Sequence, residues 1–215
     1  MNYEFMGTPF EFDEFENLSR KEARAYFKWY VGQIDSRMEI LKAAVLEENP
    51  EVNFDFSPES LIPVWKWYQK KIVFVRKSEE ILSQETDRFQ GWLVSQVMRA
   101  GKKYEDINME FLRAVARERI VETEISEETL GYAKDMAIYF SEVLRRNHED
   151  VLYWTFIATA KRHVSFNKPV LMGFKARVPL DASMVIRTLT KREQENKNEN
   201  ALFQSYNKWI NELPD

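Results

Sequence analysis

SEETLGYAKDMAIYFSEVLRRNHEDVLYWTFIATAKRHVSFNKPVLMGF, residues 126–174, changes its hydrophobic period once, and that change decides the fold class. Leu130, Ala133, Ala137, Phe140 and Leu144 recur at helical intervals, which predicts one helix with a buried stripe. Ser126 stands at the capping position, Glu127 and Glu128 fall in the first turn, and Arg145 and Arg146 fall in the last, so both ends complement the helix dipole. After Asn147 the repeat becomes two: Leu152, Trp154, Phe156 and Ala158 alternate with Tyr153, Thr155 and Ile157, as in a strand. Pro169 opens a second short strand, PVLMGF, at a first position where its missing N–H is tolerated. The expectation is an α+β fold, a predominantly helical domain with a small antiparallel β-sheet in its C-terminal half.

Working outward, Ser19 and Glu22 have capping-box spacing, and Ala23, Phe27, Tyr30, Ile34, Leu41 and Val45 carry one long helix to Glu48-Asn49-Pro50. A second helix begins near Leu61, capped by Ser60 with Pro63 in its first turn, and turns Leu61, Val64, Trp65, Tyr68 and Ile72 one way. Ile81 to Ala100 reads as a helix stopped by Gly101, and another follows Asp106. Residues 180–190 fit strand or helix equally, and KREQENKNEN reads as a loop. Residues 201–213 form a terminal helix with Phe203, Tyr206 and Ile210 inward. The chain reads as a single domain over 1–215. Within it lie an acidic aromatic arm (1–18), a mainly helical part (19–120), a helix with a small sheet (126–192) and the terminal helix.

The chain of 215 residues is 44% hydrophobic and 31% charged, the composition of a folded protein with a substantial core. It has no cysteine, which excludes disulfides, thiolate metal sites and cysteine nucleophiles. MNYEFMGTPFEFDEFE lacks the basic-then-apolar pattern of a secretory leader, and the apolar run 151–160 is too short for a membrane helix, so a cytoplasmic protein is expected. The net charge of −4 is unevenly spread. Residues 1–60 hold six Lys/Arg against thirteen Asp/Glu, whereas residues 161–192 hold eight Lys/Arg and a single acid, Asp181. An acidic arm and a basic segment could attract each other or face separate partners.

FDFSPESLIPVWKW at 54–67, DMAIYFSEVLRRN at 135–147, Trp154, NKPVLMGF at 167–174 and the closing LFQSYNKWI together resemble an uncharacterised family of cytoplasmic proteins from Gram-positive bacteria. That resemblance implies single-domain organisation and no established activity. It also implies a loose similarity to small immunity-type proteins that neutralise toxins.

The residues that could carry chemistry are few. His148 sits at a helix end and His163 in a basic connection, and no two-histidine metal spacing occurs. Glycine-rich phosphate loops and a nucleophile elbow are absent from the sequence, and no cofactor or metal is expected. Asp135, Tyr139 and Glu142 share one helical face opposite the Leu130 to Leu144 stripe. The i,i+4 pair of Glu142 and Arg146 makes this a solvated, salt-bridging face, unless the long first helix covers it and turns it into a buried polar network. Lys161, Arg162, Lys168, Lys175, Arg177, Arg187, Lys191 and Arg192, with Phe166 and Phe174 interleaved, could neutralise phosphates and stack bases. In the arm, Tyr3, Phe5, Phe10, Phe12 and Phe15 alternate with Glu4, Glu11, Asp13, Glu14 and Glu16, which suggests rings docked on a surface and acids left wet.

These features favour a non-enzymatic protein that binds a protein partner, with an immunity-type role as its specific form. The interaction surface would draw on Glu14, Glu16, Asp135, Tyr139, Glu142, Trp154, Lys161, Arg162, Lys175 and Arg177. The alternative is a nucleic-acid-associated protein using residues 161–192, and the third reading is an enzyme with an unfamiliar carboxylate site. No membrane partner is expected, and a homo-oligomer is compatible with the long first helix.

Overall fold

A computed structural model describes residues 3–11 and 14–214. In chain order the regular elements are α1 (Arg20–Glu48), α2 (Leu61–Gln69), β1 (Phe74–Arg76), α3 (Glu79–Arg99), α4 (Met109–Arg119), β2 (Thr123–Ile125), α5 (Glu127–Asn147), β3 (Tyr153–Phe156), β4 (Pro169–Met172), α6 (Ala182–Arg192) and α7 (Ala201–Ile210). The chain is 59% helical and 8% strand, so the fold is α+β and dominated by helix. Two compact units are present, one formed by residues up to 72 together with those from 127 onward, the other by Val73–Ser126. The smaller unit thus takes the end of the stretch 19–120, which reads as one helical part in the sequence, and runs past it to Ser126.

In the larger unit α1 begins as its sequence predicts. The Ser19 side chain accepts from the Glu22 N–H at 3.3 Å and the Glu22 carboxylate accepts from the Ser19 N–H at 2.8 Å, a complete capping box. The sequence expectation for α5 was a single buried stripe, and the structure departs from it. Only Leu130 and Lys134 escape full burial between Thr129 and Leu144. The cause is that α1, α2, α6 and α7 all contact α5, so it is the axis of the unit rather than a surface helix. Helix α2 is likewise buried through Leu61, Val64, Trp65, Trp67 and Tyr68, with the unanticipated Trp67 on the side away from the predicted stripe.

Strands β3 and β4 pair antiparallel with Trp154 opposite Leu171 and Phe156 opposite Pro169, as the period-two reading requires. Residues 180–190 contain both alternatives. Leu180 bridges Leu171 by reciprocal backbone bonds of 2.9 and 3.0 Å, and Asp181 then caps α6 by accepting from the Met184 N–H. Gly173, with φ +123°, is demanded by its surroundings, because a Cβ there would lie 2.3 Å from the Val151 carbonyl oxygen. The arm docks on its own unit. Phe5 lies against Tyr132 and so close to Gly131 that a Cβ on that residue would meet the Phe5 ring at 2.3 Å. Phe10 packs edge-on to Tyr26 and Trp29, and the Phe15 and Leu18 carbonyls accept from the buried Asn167 amide. Phe12 and Asp13, which continue the alternation in sequence, lie outside the described residues.

The smaller unit is the helical hairpin α3/α4 with a two-stranded antiparallel sheet, Phe74 opposite Ile125. Gly101, at φ +92°, ends α3 as expected. The sheet was not foreseen, since strands of three residues are too short to display a period of two. Its buried side chains are few: Leu82, Thr86, Val94, Ala116 and Ile125.

Candidate functional site

Seven residues apart on α5, two carboxylates are removed from water, Asp135 at 0% and Glu142 at 1% exposure. The face read as solvated is therefore buried, because α1 and the arm cover one end of it and β3 supplies a partner at the other. At Asp135 the Arg37 guanidinium from α1 lies in fork geometry, Nε 2.8 Å from Oδ1 and a terminal nitrogen 2.6 Å from Oδ2. The same Arg37 nitrogen group donates to the Glu4 carbonyl at 2.6 Å, and the Tyr3 hydroxyl donates to Asp135 Oδ2 at 2.5 Å. Burial, then the adjacent Asp135 charge, pushes the Tyr3 phenol far above its ordinary value, so it acts here only as a neutral donor.

Glu142 collects donors from three side chains. Arg145 donates twice, at 2.8 and 2.7 Å, Arg146 Nε once at 3.0 Å, and the Trp154 indole N–H once at 2.9 Å. Burial alone would raise its pKa, but the hydrogen bonds from Arg145, Trp154 and Arg146 outweigh it and hold the carboxyl below the ordinary range. The predicted Glu142–Arg146 pair is present. Tyr139, read as part of the same face, belongs to a separate contact. Its hydroxyl lies 2.6 Å from Ser60 Oγ, and burial pushes its phenol up to about 12. Both carboxylates are thus held by arginine, which leaves neither placed as a general base.

The larger unit also contains a cavity of about 520 Å³. Tyr26, Trp29 and Tyr30 of α1 form one wall, Leu130, Ala133 and Lys134 of α5 another, and Ser183, Met184, Arg187, Thr188 and Lys191 of α6 a third. Lys168 and Pro169 close one end, and Met6, Thr8 and Phe15 of the arm line another part. Neither Asp135 nor Glu142 lines it. Among the described residues its one acid is Asp181, which caps α6 and lies 4.0 Å from Lys168 Nζ. Lys134 Nζ donates to the Met6 carbonyl at 3.3 Å, while Arg187 and Lys191, one turn apart, form no ion pair among the described residues. Sequence reading placed Lys168, Arg187 and Lys191 in the basic segment. It missed their convergence with the α1 aromatics, because the contact joins segments more than a hundred residues apart.

The other predicted surface residues do not join these sites. Glu14 and Glu16 are exposed around the turn Phe15–Asn17, and Lys161, Arg162, Lys175 and Arg177 are exposed in connections. Phe174, proposed as a stacking ring, is buried against Trp209 at 4.9 Å and cannot present its face to a base. His148 lies 3.3 Å from the Tyr206 hydroxyl, and His163 Nδ1 accepts from the Ser165 N–H. Exposed large apolar side chains concentrate elsewhere. Of thirteen among the described residues, eight fall within Val73–Ser126, including Trp92, Met98, Tyr104 and Phe111. Among the described residues no helix is long and apolar enough to cross a membrane, and no group of three His, Asp or Glu is placed to hold a metal ion. Comparison with known proteins finds no matching family, no matching curated protein and no matching solved structure.

Proposed function

We propose that the chain is a non-enzymatic, cytoplasmic binding protein that engages a protein partner through the Val73–Ser126 unit. The observation that carries this reading is the crowding of exposed aromatic and aliphatic side chains on one small unit. Trp92 is 53% exposed and Phe111 62% exposed, on the two helices of the hairpin. Exposed apolar groups are costly to leave in water, and Trp, Tyr, Phe and Met are the residues that anchor protein interfaces. The arginine-locked carboxylates support a binding rather than an acid–base role.

The test is affinity purification of the full chain and of a Trp92→Ser/Phe111→Ser variant, alongside sedimentation of each alone. A stoichiometric protein bound to the parent chain and lost from the variant, with both monomeric, is the expected result. Identical recovery from both would overturn the assignment of the surface. A concentration-dependent dimer abolished by the variant would reassign it to self-association.

A further inference from the structure

We propose that the cavity between α1, α5 and α6 is a binding site for a small amphipathic anion, one carboxylate or phosphate monoester carried on an apolar body. Its size, about 520 Å³, lies within the range of cavities that enclose one small ligand. Its composition divides the ligand into two parts. Tyr26, Trp29, Leu130, Ala133 and Met184 offer an apolar and aromatic surface, whereas Lys134, Lys168, Arg187 and Lys191 stand on the polar side. Four cations meet one acid, and that acid is already engaged by the α6 N–H and by Lys168. Lys134, Arg187 and Lys191 are exposed, so the excess positive charge faces solvent beside the apolar walls and disfavours a cation of the same shape.

Two further observations favour a polar ligand group at this site. The Tyr30 side chain lines the cavity, and its hydroxyl makes no hydrogen bond to a described residue and is not fully buried, which leaves it open to solvent or to a ligand. Burial raises the Tyr30 phenol well above its ordinary value and pushes that of Tyr26 up to about 12, so both remain neutral donors near physiological pH. Arg187 adds a planar fork suited to two oxygens of one anion, and Lys191 adds a point charge one turn away.

Calorimetric titration with octanoate and 1-naphthoate, against octan-1-ol and octylamine, tests the site. The anions should bind about tenfold or more tighter than the alcohol, more weakly as salt is added, and the amine least. Arg187→Glu/Lys191→Glu changes only exposed side chains. It should remove the anion's advantage and leave alcohol binding unchanged. Met184→Trp should block acid and alcohol alike by filling the cavity. Octanoate and naphthoate separate an acyl from an aryl body. Equal binding of acid and alcohol, an unaltered anion affinity in the double variant, or no saturable binding by any probe would overturn the proposal, provided each variant melts like the parent.

Discussion

Asp135 and Glu142 share a helix and a depth of burial, and each is paired with arginine, yet they are built in opposite ways. Glu142 is satisfied locally, by Arg145 and Arg146 on the same helix and by Trp154 just beyond it. Asp135 is satisfied from far along the chain, by Arg37 of α1 and Tyr3 of the arm. The local cluster keeps its arginines at 31% and 38% side-chain exposure, whereas Arg37 retains only 5%. Loss of the Glu142 carboxylate would return two guanidinium groups to water. Loss of the Asp135 carboxylate would strand one in the interior. The same ion pair on paper therefore has different consequences, set by what the surviving partner can reach.

The largest effect should come from Asp135→Ala, which leaves the Arg37 charge buried and unpaired. Such a break costs about 3–5 kcal/mol, a large part of the stability of an ordinary domain. Chemical denaturation should show it, and the companion Asp135→Ala/Arg37→Met should recover much of the loss by removing the stranded charge as well. A single variant that melts within about 1 kcal/mol of the parent would mean that Arg37 finds water, and the contrast with Glu142 would fail.

The same contrast explains what the sequence makes legible. The helix α5, the strands β3 and β4 that follow it and the Glu142–Arg146 pair are all visible because their signals are local, a period of 3.6, a period of two and a spacing of four. The burial of the polar face is not. Asp135 at the surface and Asp135 under α1 have identical neighbours in sequence, and only the position of Arg37 on another helix separates them. The condition that α1 might cover this face was legible, since a helix of 29 residues must lie along something, but not its register. The cavity is hidden for the same reason, since α1 supplies its rings and α6 its free cations. The sheet β1/β2 was missed through brevity, with three residues in each strand.

Glu142→Gln should have a smaller effect, about 1–2 kcal/mol at neutral pH, since both arginines can turn to solvent. Its pH dependence sharpens the comparison. The carboxyl is held below its ordinary value near 4.5, so the stability it contributes is fully present above that value and is lost as pH falls through the lower folded value. Denaturation curves for parent and variant should therefore converge in acid, from a constant gap above pH 4.5. A gap that persists unchanged through the acid range would assign the effect to packing rather than to the charge.

The smallest global change belongs to Tyr3→Phe, yet it reads the most specific contact. Removing the hydroxyl deletes one donor to Asp135 while Arg37 still grips both carboxylate oxygens. The loss should be about 1 kcal/mol and should fall on the arm. Amide exchange of residues 3–11 should quicken while that of α5 stays unchanged, because the arm opens without the helix. Gly131→Ala supplies a control of opposite sign. Alanine favours the helix over glycine by about 0.5–1 kcal/mol. Its methyl group, however, would meet the Phe5 ring at 2.3 Å. The arm should loosen even as α5 gains intrinsic stability. If exchange in the arm quickens in neither variant, the docking of Tyr3 and Phe5 does not hold the arm. The burial of Asp135 would then rest on α1 alone.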